Sequence, residues 1–357
     1  METNRGERRA PEPPSVPGAV PDALGLPGLP GTARAAAGGG RGLWWLLALW
    51  AASLLAAALA APLVFDGVRL WAARSPGGLA GYLAGKDFPR YFDRLRWLFV
   101  LAGLPWVCRR TDLWGRQALA LVGGRRAWRA AASWFAAGVG TVALIAAGQL
   151  SGGVASVRLR SGAGGALVAL AEIVAVALVS AALIAFFEEL VFRGVVFQLA
   201  ARALALPWAV AAAALIFALV HFQRLPGDAW PEGAHGGGVG PAAGLVVAWR
   251  SLAALPSNLD PPVFTALVLA GAILCLVFAR HRTLLASMGL HAGWVFAAGV
   301  HRRLLWVAPH ASTTLWGGRH LIDGIAPLVL LAFLLLAVAW TEGRRRGMVS
   351  LRARRQR

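Results

Sequence analysis

The chain has 357 residues, of which 58% are hydrophobic and only 14% are charged. A soluble domain carries about 25% charged residues, so this composition excludes an ordinary soluble protein and indicates a polytopic membrane protein. The formal net charge is +19, but the basic residues cluster beside the apolar segments and not among stacking aromatics. We therefore expect a lipid bilayer as a partner and no nucleic acid.

The predicted elements are a tail followed by apolar spans. Residues 1–42 are rich in Pro and Gly and are expected to be disordered. A hydrocarbon core of about 30 Å is crossed by about 20 apolar residues, so we predict an all-α fold with about eight transmembrane helices. The predicted spans are Leu43–Phe65, Trp97–Cys108, Ala130–Val157, Ala163–Ala201, Pro207–Phe222, Val263–Ala279, Thr283–Val300 and Gly324–Thr341.

The distribution of basic residues predicts the orientation of the chain. An even number of spans places both termini on one side of the membrane, and most arginines fall in the tails and loops of that side. Because cytoplasmic loops carry the excess of Lys and Arg, we expect both termini in the cytoplasm. Lys86 is the only lysine among 35 basic residues, which suggests a GC-rich bacterial genome and a location in the bacterial inner membrane.

Three charged residues interrupt one of the most apolar segments, in the sequence FFEELVFRG at residues 186–194. Each charge at the centre of a bilayer costs roughly 2.5–3.5 kcal/mol on insertion scales. Glu189 and Arg193 are spaced i, i+4 on a helix, so they share a face and can form an ion pair. Glu188 lies about 100° away around the helix and needs another partner.

Two of the seven histidines can supply that partner. His221 and His291 fall within apolar segments, whereas the other five lie in loops, turns or regions outside the predicted spans. Neutral imidazole is the commonest metal ligand, and one Glu with two His is the ligand set of a catalytic zinc that keeps one position open for water. Glu188, His221 and His291 are therefore candidate ligands of a divalent metal, with zinc as the first choice.

These residues lie in three motifs that resemble those of a known family. EELVFR at 188–193 matches the E-E-x-x-x-R motif of the CPBP family of intramembrane proteases, also known as the CAAX prenyl protease or ABI family. FALVH at 217–221 matches its F-x-x-x-H motif, and HAGWV at 291–295 resembles its H-x-x-x-N motif. The resemblance covers roughly residues 165–300 and implies a helical intramembrane endopeptidase.

The resemblance also implies a domain division and a set of site residues. The division is a disordered cytoplasmic tail at 1–42, N-terminal transmembrane helices at 43–157, a CPBP-like catalytic transmembrane domain at 163–341 and a basic cytoplasmic tail at 342–357. Glu188 is implied as general base or metal ligand, with His221 and His291 holding the metal or the water. Glu189 and Arg193 complete the implied catalytic motif.

One position departs from the family pattern, because Val295 stands where the third motif usually ends in Asn. In the family that Asn is held to stabilise the oxyanion or to orient the catalytic group. Its loss leaves the role to another donor or signals weakened activity. Trp294 and Arg193 are the nearest polar candidates in sequence.

The depth of the site depends on how far the charged helix extends. The apolar continuation VVFQLAARALAL predicts that the helix runs on past Arg193, tilted or broken near Gly194, so that Glu188 lies well inside the membrane. The other intramembrane acid, Glu172, lies about 24 Å away from Glu188 along a straight helix and is expected outside the site.

We expect an integral membrane endopeptidase that cleaves a membrane-anchored protein or peptide, such as a C-terminal sorting tail, with a water activated by Glu and His. Metal-dependent and glutamate-dependent mechanisms both remain open. A non-catalytic immunity or scaffold protein of the same family is the alternative. A transporter with a Glu–His proton relay is disfavoured because the sequence shows no corresponding pair of broken helices.

Overall fold

The computed structural model describes residues 32–158, 165–223, 239–308, 311–318 and 320–355. Helices form nearly all of the regular structure in these ranges, which confirms the predicted all-α class. In chain order the elements are α1 (Thr32–Arg74), α2 (Gly78–Ala84), α3 (Phe88–Arg110), α4 (Arg125–Ser151), β1 (Ala155–Val157), α5 (Gly165–Val191), a π-helical segment (Phe192–Phe197), α6 (Gln198–Ala203), α7 (Leu206–His221), α8 (Ala243–Ala253), α9 (Leu255–Asn258), α10 (Pro261–His281), α11 (Leu284–Leu304), β2 (Leu305–Val307) and α12 (Ile325–Arg355).

The chain is a multi-pass membrane protein. Within the described ranges, six helices are long and apolar enough to cross a membrane: α1, α4, α5 with its continuation to Ala203, α10, α11 and α12. Each of the eight predicted spans overlaps a helix in the described residues. The two predicted spans outside the set of six are α7, which has only 16 residues, and α3, whose first half carries charged side chains.

Both ends of the described chain are more helical than the sequence suggests. Residues 32–42 were expected to belong to a disordered tail, but α1 already begins at Thr32; residues 1–31 lie outside the described ranges. Alanine has the highest helix propensity, and the segment TARAAA runs without a break into the apolar helix. At the other end, α12 continues through the basic tail to Arg355.

A two-stranded sheet joins the ends of α4 and α11. β1 pairs antiparallel with β2, with Ala155 opposite Val307. Residues 155–157 were predicted to belong to the third apolar span, but α4 ends before Gly152 and the chain becomes extended at Ala155. The pairing partner lies about 150 residues later in the chain, so no local pattern predicts this strand.

The helix that carries the charged motif continues beyond it, as the sequence predicts. α5 ends at Val191, the backbone becomes π-helical over Phe192–Phe197, and α6 follows directly. A π-helix has i to i+5 hydrogen bonds, so it widens the turn around Gly194 and redirects the side chains that follow. Gln198 stabilises the segment by donating from Nε2 to the carbonyl oxygen of Gly194 at 2.8 Å and to that of Ala118 at 3.0 Å.

Small residues bring α11 into close contact with α4. A Cβ atom at Gly289 would lie 2.2 Å from the carbonyl oxygen of Ala131, and one at Gly293 would lie 2.3 Å from that of Phe135. Glycines spaced i, i+4 let two membrane helices approach backbone to backbone. His291 lies between these glycines, so the same contact fixes its depth and rotation.

α3 and α8 pack on α1 in a second apolar cluster. The Phe65 ring of α1 meets Phe88 and Tyr91 of α3 edge-on, at centroid distances of 5.4 and 5.1 Å. On the other side, a Cβ atom at Gly244 of α8 would lie 1.8 Å from the carbonyl oxygen of Ala58. This packing holds α3 beside the end of α7.

Candidate active site

The buried ion pair predicted from the i, i+4 spacing is present. Arg193 donates from Nη1 to Glu189 Oε1 at 2.8 Å, and both side chains are fully buried. Arg193 also donates from Nη2 to the carbonyl oxygen of Gly271 in α10 at 3.1 Å. Its guanidinium lies over the Phe217 ring, 4.6 Å from the centroid. Arg193 therefore ties α5 to α7 and α10.

His291 reaches the charged motif from α11 and contacts both glutamates. Its Nδ1 lies 2.9 Å from Glu189 Oε1, and because an ionised carboxylate only accepts, this nitrogen carries the hydrogen. In the neutral ring Nε2 then bears a lone pair. That nitrogen lies 3.8 Å from Oε2 of Glu188.

His221 approaches Glu188 from α7 in the same way. Its Nδ1 lies 2.7 Å from the carbonyl oxygen of Phe217, which can only accept, so Nδ1 is the donor. Nε2 lies 4.0 Å from Oε2 of Glu188. The Phe217 ring packs against both imidazoles, at centroid distances of 4.7 Å to His221 and 6.1 Å to His291.

The structure thus brings all five predicted residues together and gives them two different environments. Glu189 lies behind the site with Arg193, whereas Glu188 Oε2 faces Nε2 of both imidazoles. Oε2 of Glu188 is buried and has no hydrogen-bond partner within the described part of the chain. Separations of 3.8 and 4.0 Å are too long for direct hydrogen bonds and suit a small bridging species such as water.

The chemistry of this donor set also fits a divalent metal. One carboxylate and two imidazoles are the ligand types of a catalytic zinc, and the Nδ1 atom of each imidazole makes a hydrogen bond, as in ligating histidines. The described residues contain no group of three His, Cys, Asp or Glu side chains already arranged with metal-binding geometry.

An open cavity of about 120 Å³ adjoins Glu188 and His221. Its remaining lining residues are Asp93, Arg96 and Trp97 of α3, with Val220 and Gln223 at the end of α7. No residue of α3 was predicted to belong to the site. The i, i+3 spacing of Asp93 and Arg96 at the border of an apolar run predicts an ion pair on α3, but it does not predict which helix lies opposite.

Three other positions considered in the sequence lie outside this cavity. Val295 follows His291 by one helical turn and is half-buried. The Nε1 atom of Trp294 is buried without a hydrogen-bond partner in the described ranges, but Trp294 is not among the residues that line the cavity. Glu172 is exposed on α5, away from the charged motif.

The middle of the chain matches a protein family. Residues 170–297 match the family described as Rce1-like, type II CAAX prenyl endopeptidase Rce1-like. This segment is a CPBP, or CAAX protease, domain. It contains all five candidate residues, whereas α1 to α4 lie outside it. The family that this segment matches is one of CAAX-type endopeptidases. No curated protein and no solved structure matches the chain.

Proposed function

We propose that this protein is an intramembrane endopeptidase that hydrolyses a peptide bond of a membrane-anchored protein or peptide, such as a C-terminal tail. The observation that carries the proposal is the convergence of Glu188 Oε2 with Nε2 of His221 and of His291, at 4.0 and 3.8 Å. Three acceptor atoms at this spacing can hold one water molecule, and the cavity beside them gives a substrate access from α3 and α7.

Glu188 is proposed as the general base. Its Oε2 accepts one hydrogen of the water and an imidazole Nε2 accepts the other, which leaves an oxygen lone pair to attack the scissile carbonyl carbon. As the new C–O bond forms, the water proton passes to Glu188 and the carbonyl electron pair moves to oxygen. When the tetrahedral intermediate collapses, the C–N bond breaks and Glu188 returns the proton to the leaving nitrogen.

Glu189 and Arg193 are proposed as positioning residues. Glu189 fixes the tautomer of His291 by accepting from Nδ1, and Arg193 holds the Glu189 carboxylate in place by donating to the same oxygen. When bound by Glu188, His221 and His291, a divalent cation such as zinc would polarise the scissile carbonyl and lower the pKa of its water to about 7. The roles of the protein residues follow from the contacts above in either case.

We place the protein in the bacterial cytoplasmic membrane with both termini in the cytoplasm, on the basis of the basic residues near those termini. The position of Glu188 in the apolar helix Gly165–Ala203, which is long enough to cross a membrane, supports a membrane-anchored substrate. A substrate that reaches such a site arrives from the bilayer or through the open cavity beside α3.

The proposal is tested with purified protein in liposomes and a library of membrane-tethered peptides. Glu188→Gln should abolish cleavage, because the amide cannot take the water proton. Glu172→Gln is the matched control, since it removes an acid from the same helix outside the site. A chelator arm distinguishes a metal-dependent from a glutamate-dependent reaction. If neither the wild type nor Val295→Asn cleaves, and Glu188→Gln keeps the cellular role, the protein is a non-catalytic relative.

A further inference from the structure

Arg96 is a buried cation on the wall of the cavity that holds Glu188. It is contributed by α3, outside the segment that matches the CPBP family. Only 6% of its side chain is exposed, whereas the side chain of its ion-pair partner Asp93 is 50% exposed. Because a half-exposed carboxylate is screened by solvent, much of the positive charge of Arg96 acts on the cavity.

The hydrogen bonds of Arg96 leave donors for a further ligand. Nη1 donates to Gln223 Oε1 at 2.7 Å and Nη2 donates to Asp93 Oδ1 at 3.0 Å. A guanidinium has five N–H donors in a planar fork, so these two bonds use fewer than half of them. Both acceptors also line the cavity, so the guanidinium is held at the cavity wall by residues that belong to it.

The surroundings of Arg96 are those of an anion site. Gln223 is neutral, and the cavity wall beside Arg96 is completed by the indole of Trp97. A buried guanidinium is costly unless it is paired and hydrogen-bonded, and a planar fork of donors matches the two oxygens of a carboxylate. Glu188 and His221 line the same cavity, so a ligand on Arg96 shares that cavity with the proposed reacting groups.

We propose that Arg96 binds a carboxylate of the substrate, either its C-terminal carboxylate or an acidic side chain close to the scissile bond. This inference rests on the proposed function. It makes Arg96 a specificity-determining residue, which anchors the substrate while Glu188 and the two imidazoles act on the peptide bond. It also explains why α3, which carries no family motif, contributes to the cavity.

If Arg96 only positions neighbouring residues, its loss should have a different effect on the kinetics. Arg96 holds Gln223, two residues after His221, and could act only by fixing the end of α7. In that case loss of Arg96 lowers kcat for every substrate and leaves any preference between substrates intact. A carboxylate anchor instead changes the relative KM of substrates with and without the carboxylate.

The test uses three membrane-tethered peptides of one sequence: one with a free C-terminal carboxylate, one with a C-terminal amide, and one with the amide plus a single Glu side chain near the scissile bond. The wild type should prefer at least one carboxylate-bearing peptide over the plain amide by about 10- to 100-fold in KM, the factor expected for charge-assisted hydrogen bonds. The peptide that is preferred identifies the source of the carboxylate.

Arg96→Gln should remove this preference, and Arg96→Lys should keep part of it because the charge remains without the planar fork. Arg94→Gln is the control, since Arg94 is exposed on the same helix and should leave the preference intact. A wild type without any preference, or a preference that survives in Arg96→Gln, overturns the proposal. If the Arg96 variants fail to fold, the comparison of the three peptides with the wild-type protein still tests the proposal.

A binding arm separates this inference from the proposed function. The same three peptides, with a fluorescent label, are titrated onto the Glu188→Gln protein. Tighter binding of a carboxylate peptide together with no cleavage by the wild type would keep the anion site and reject the protease. Cleavage by the wild type without a carboxylate preference would keep the protease and reject the anion site.

Discussion

Glu189 and His291, which are 102 residues apart in the chain, are joined by a 2.9 Å hydrogen bond between Oε1 and Nδ1. The same Oε1 atom accepts from Arg193 at 2.8 Å. One buried oxygen thus connects the ion pair of α5 to the imidazole of α11. The adjacent carboxylate, Glu188, is left to face Nε2 of that imidazole. The two adjacent glutamates therefore have different partners, which supports the separate roles proposed for them.

Glu189→Gln should lower the activity of the protein, and it should also lower the unfolding temperature because the buried Arg193 loses its counter-charge. The amide keeps the shape of the side chain but accepts hydrogen bonds from Arg193 and His291 less strongly, so His291 loses its fixed tautomer. Loss of such an outer partner typically costs 10- to 100-fold in activity. The measurement is kcat on a tethered peptide alongside a thermal unfolding curve. Full activity in Glu189→Gln would show that His291 is oriented by something else.

Arg193→Ala should reduce the amount of folded protein more than Glu188→Ala does. It strands the fully buried Glu189 without its cation, and breaking a buried pair in this way costs about 3–5 kcal/mol. Glu188 is only partly buried, and within the described residues its nearest basic groups are the imidazoles of His221 and His291 at 4.0 and 3.8 Å. The yield of monodisperse protein after detergent extraction measures the difference. Equal yields of Arg193→Ala and wild type would contradict the structural role.

Gly293→Leu should separate α11 from α4 and displace His291. A Cβ atom at this position would lie 2.3 Å from the carbonyl oxygen of Phe135, and a backbone carbonyl cannot move aside like a flexible side chain. Gly140→Leu is the matched control, because a Cβ atom at Gly140 meets nothing within 4 Å. Gly293→Leu should therefore have a lower thermal unfolding temperature and a lower rate of peptide cleavage than Gly140→Leu. The prediction fails if the two variants behave alike.

The Val295→Asn variant should have a kcat/KM within a few-fold of the wild-type value. An active enzyme without the motif Asn already has another donor for the developing oxyanion, and loss of one such donor costs about 10²–10³ in other enzymes. The assay compares kcat/KM of the two proteins on one peptide. Cleavage that appears only in Val295→Asn would mean that this position is the missing oxyanion partner.

The residues of the site could be predicted where the chemistry is local or unusual. Glu189 and Arg193 follow from one helical spacing, and His221 and His291 stand out because imidazoles are rare in apolar segments. The bond between Glu189 and His291 could not be predicted, because it depends on the rotation of α11, which the Gly289 and Gly293 contacts with α4 determine.

The contribution of α3 to the cavity could not be predicted from the sequence either. Arg96 and Trp97 reach the cavity only because α3 packs on α1 and lies beside the end of α7, and no spacing along the chain encodes that neighbour. Helix positions were predicted well because long apolar runs fix them. The start of α1 and the pairing of β1 with β2 were not predicted, because the first lies in a tail without an apolar run and the second joins two short strands that are far apart in the chain.

The most direct test of the central claim, that Glu188 activates a water, is a single-turnover cleavage in ¹⁸O-labelled water followed by mass spectrometry. The account predicts one ¹⁸O atom in the new carboxylate of the product and none in the enzyme peptide that contains Glu188. No cleavage, or an unlabelled first product together with ¹⁸O in Glu188, would contradict it, because the latter result makes Glu188 a nucleophile and not a base.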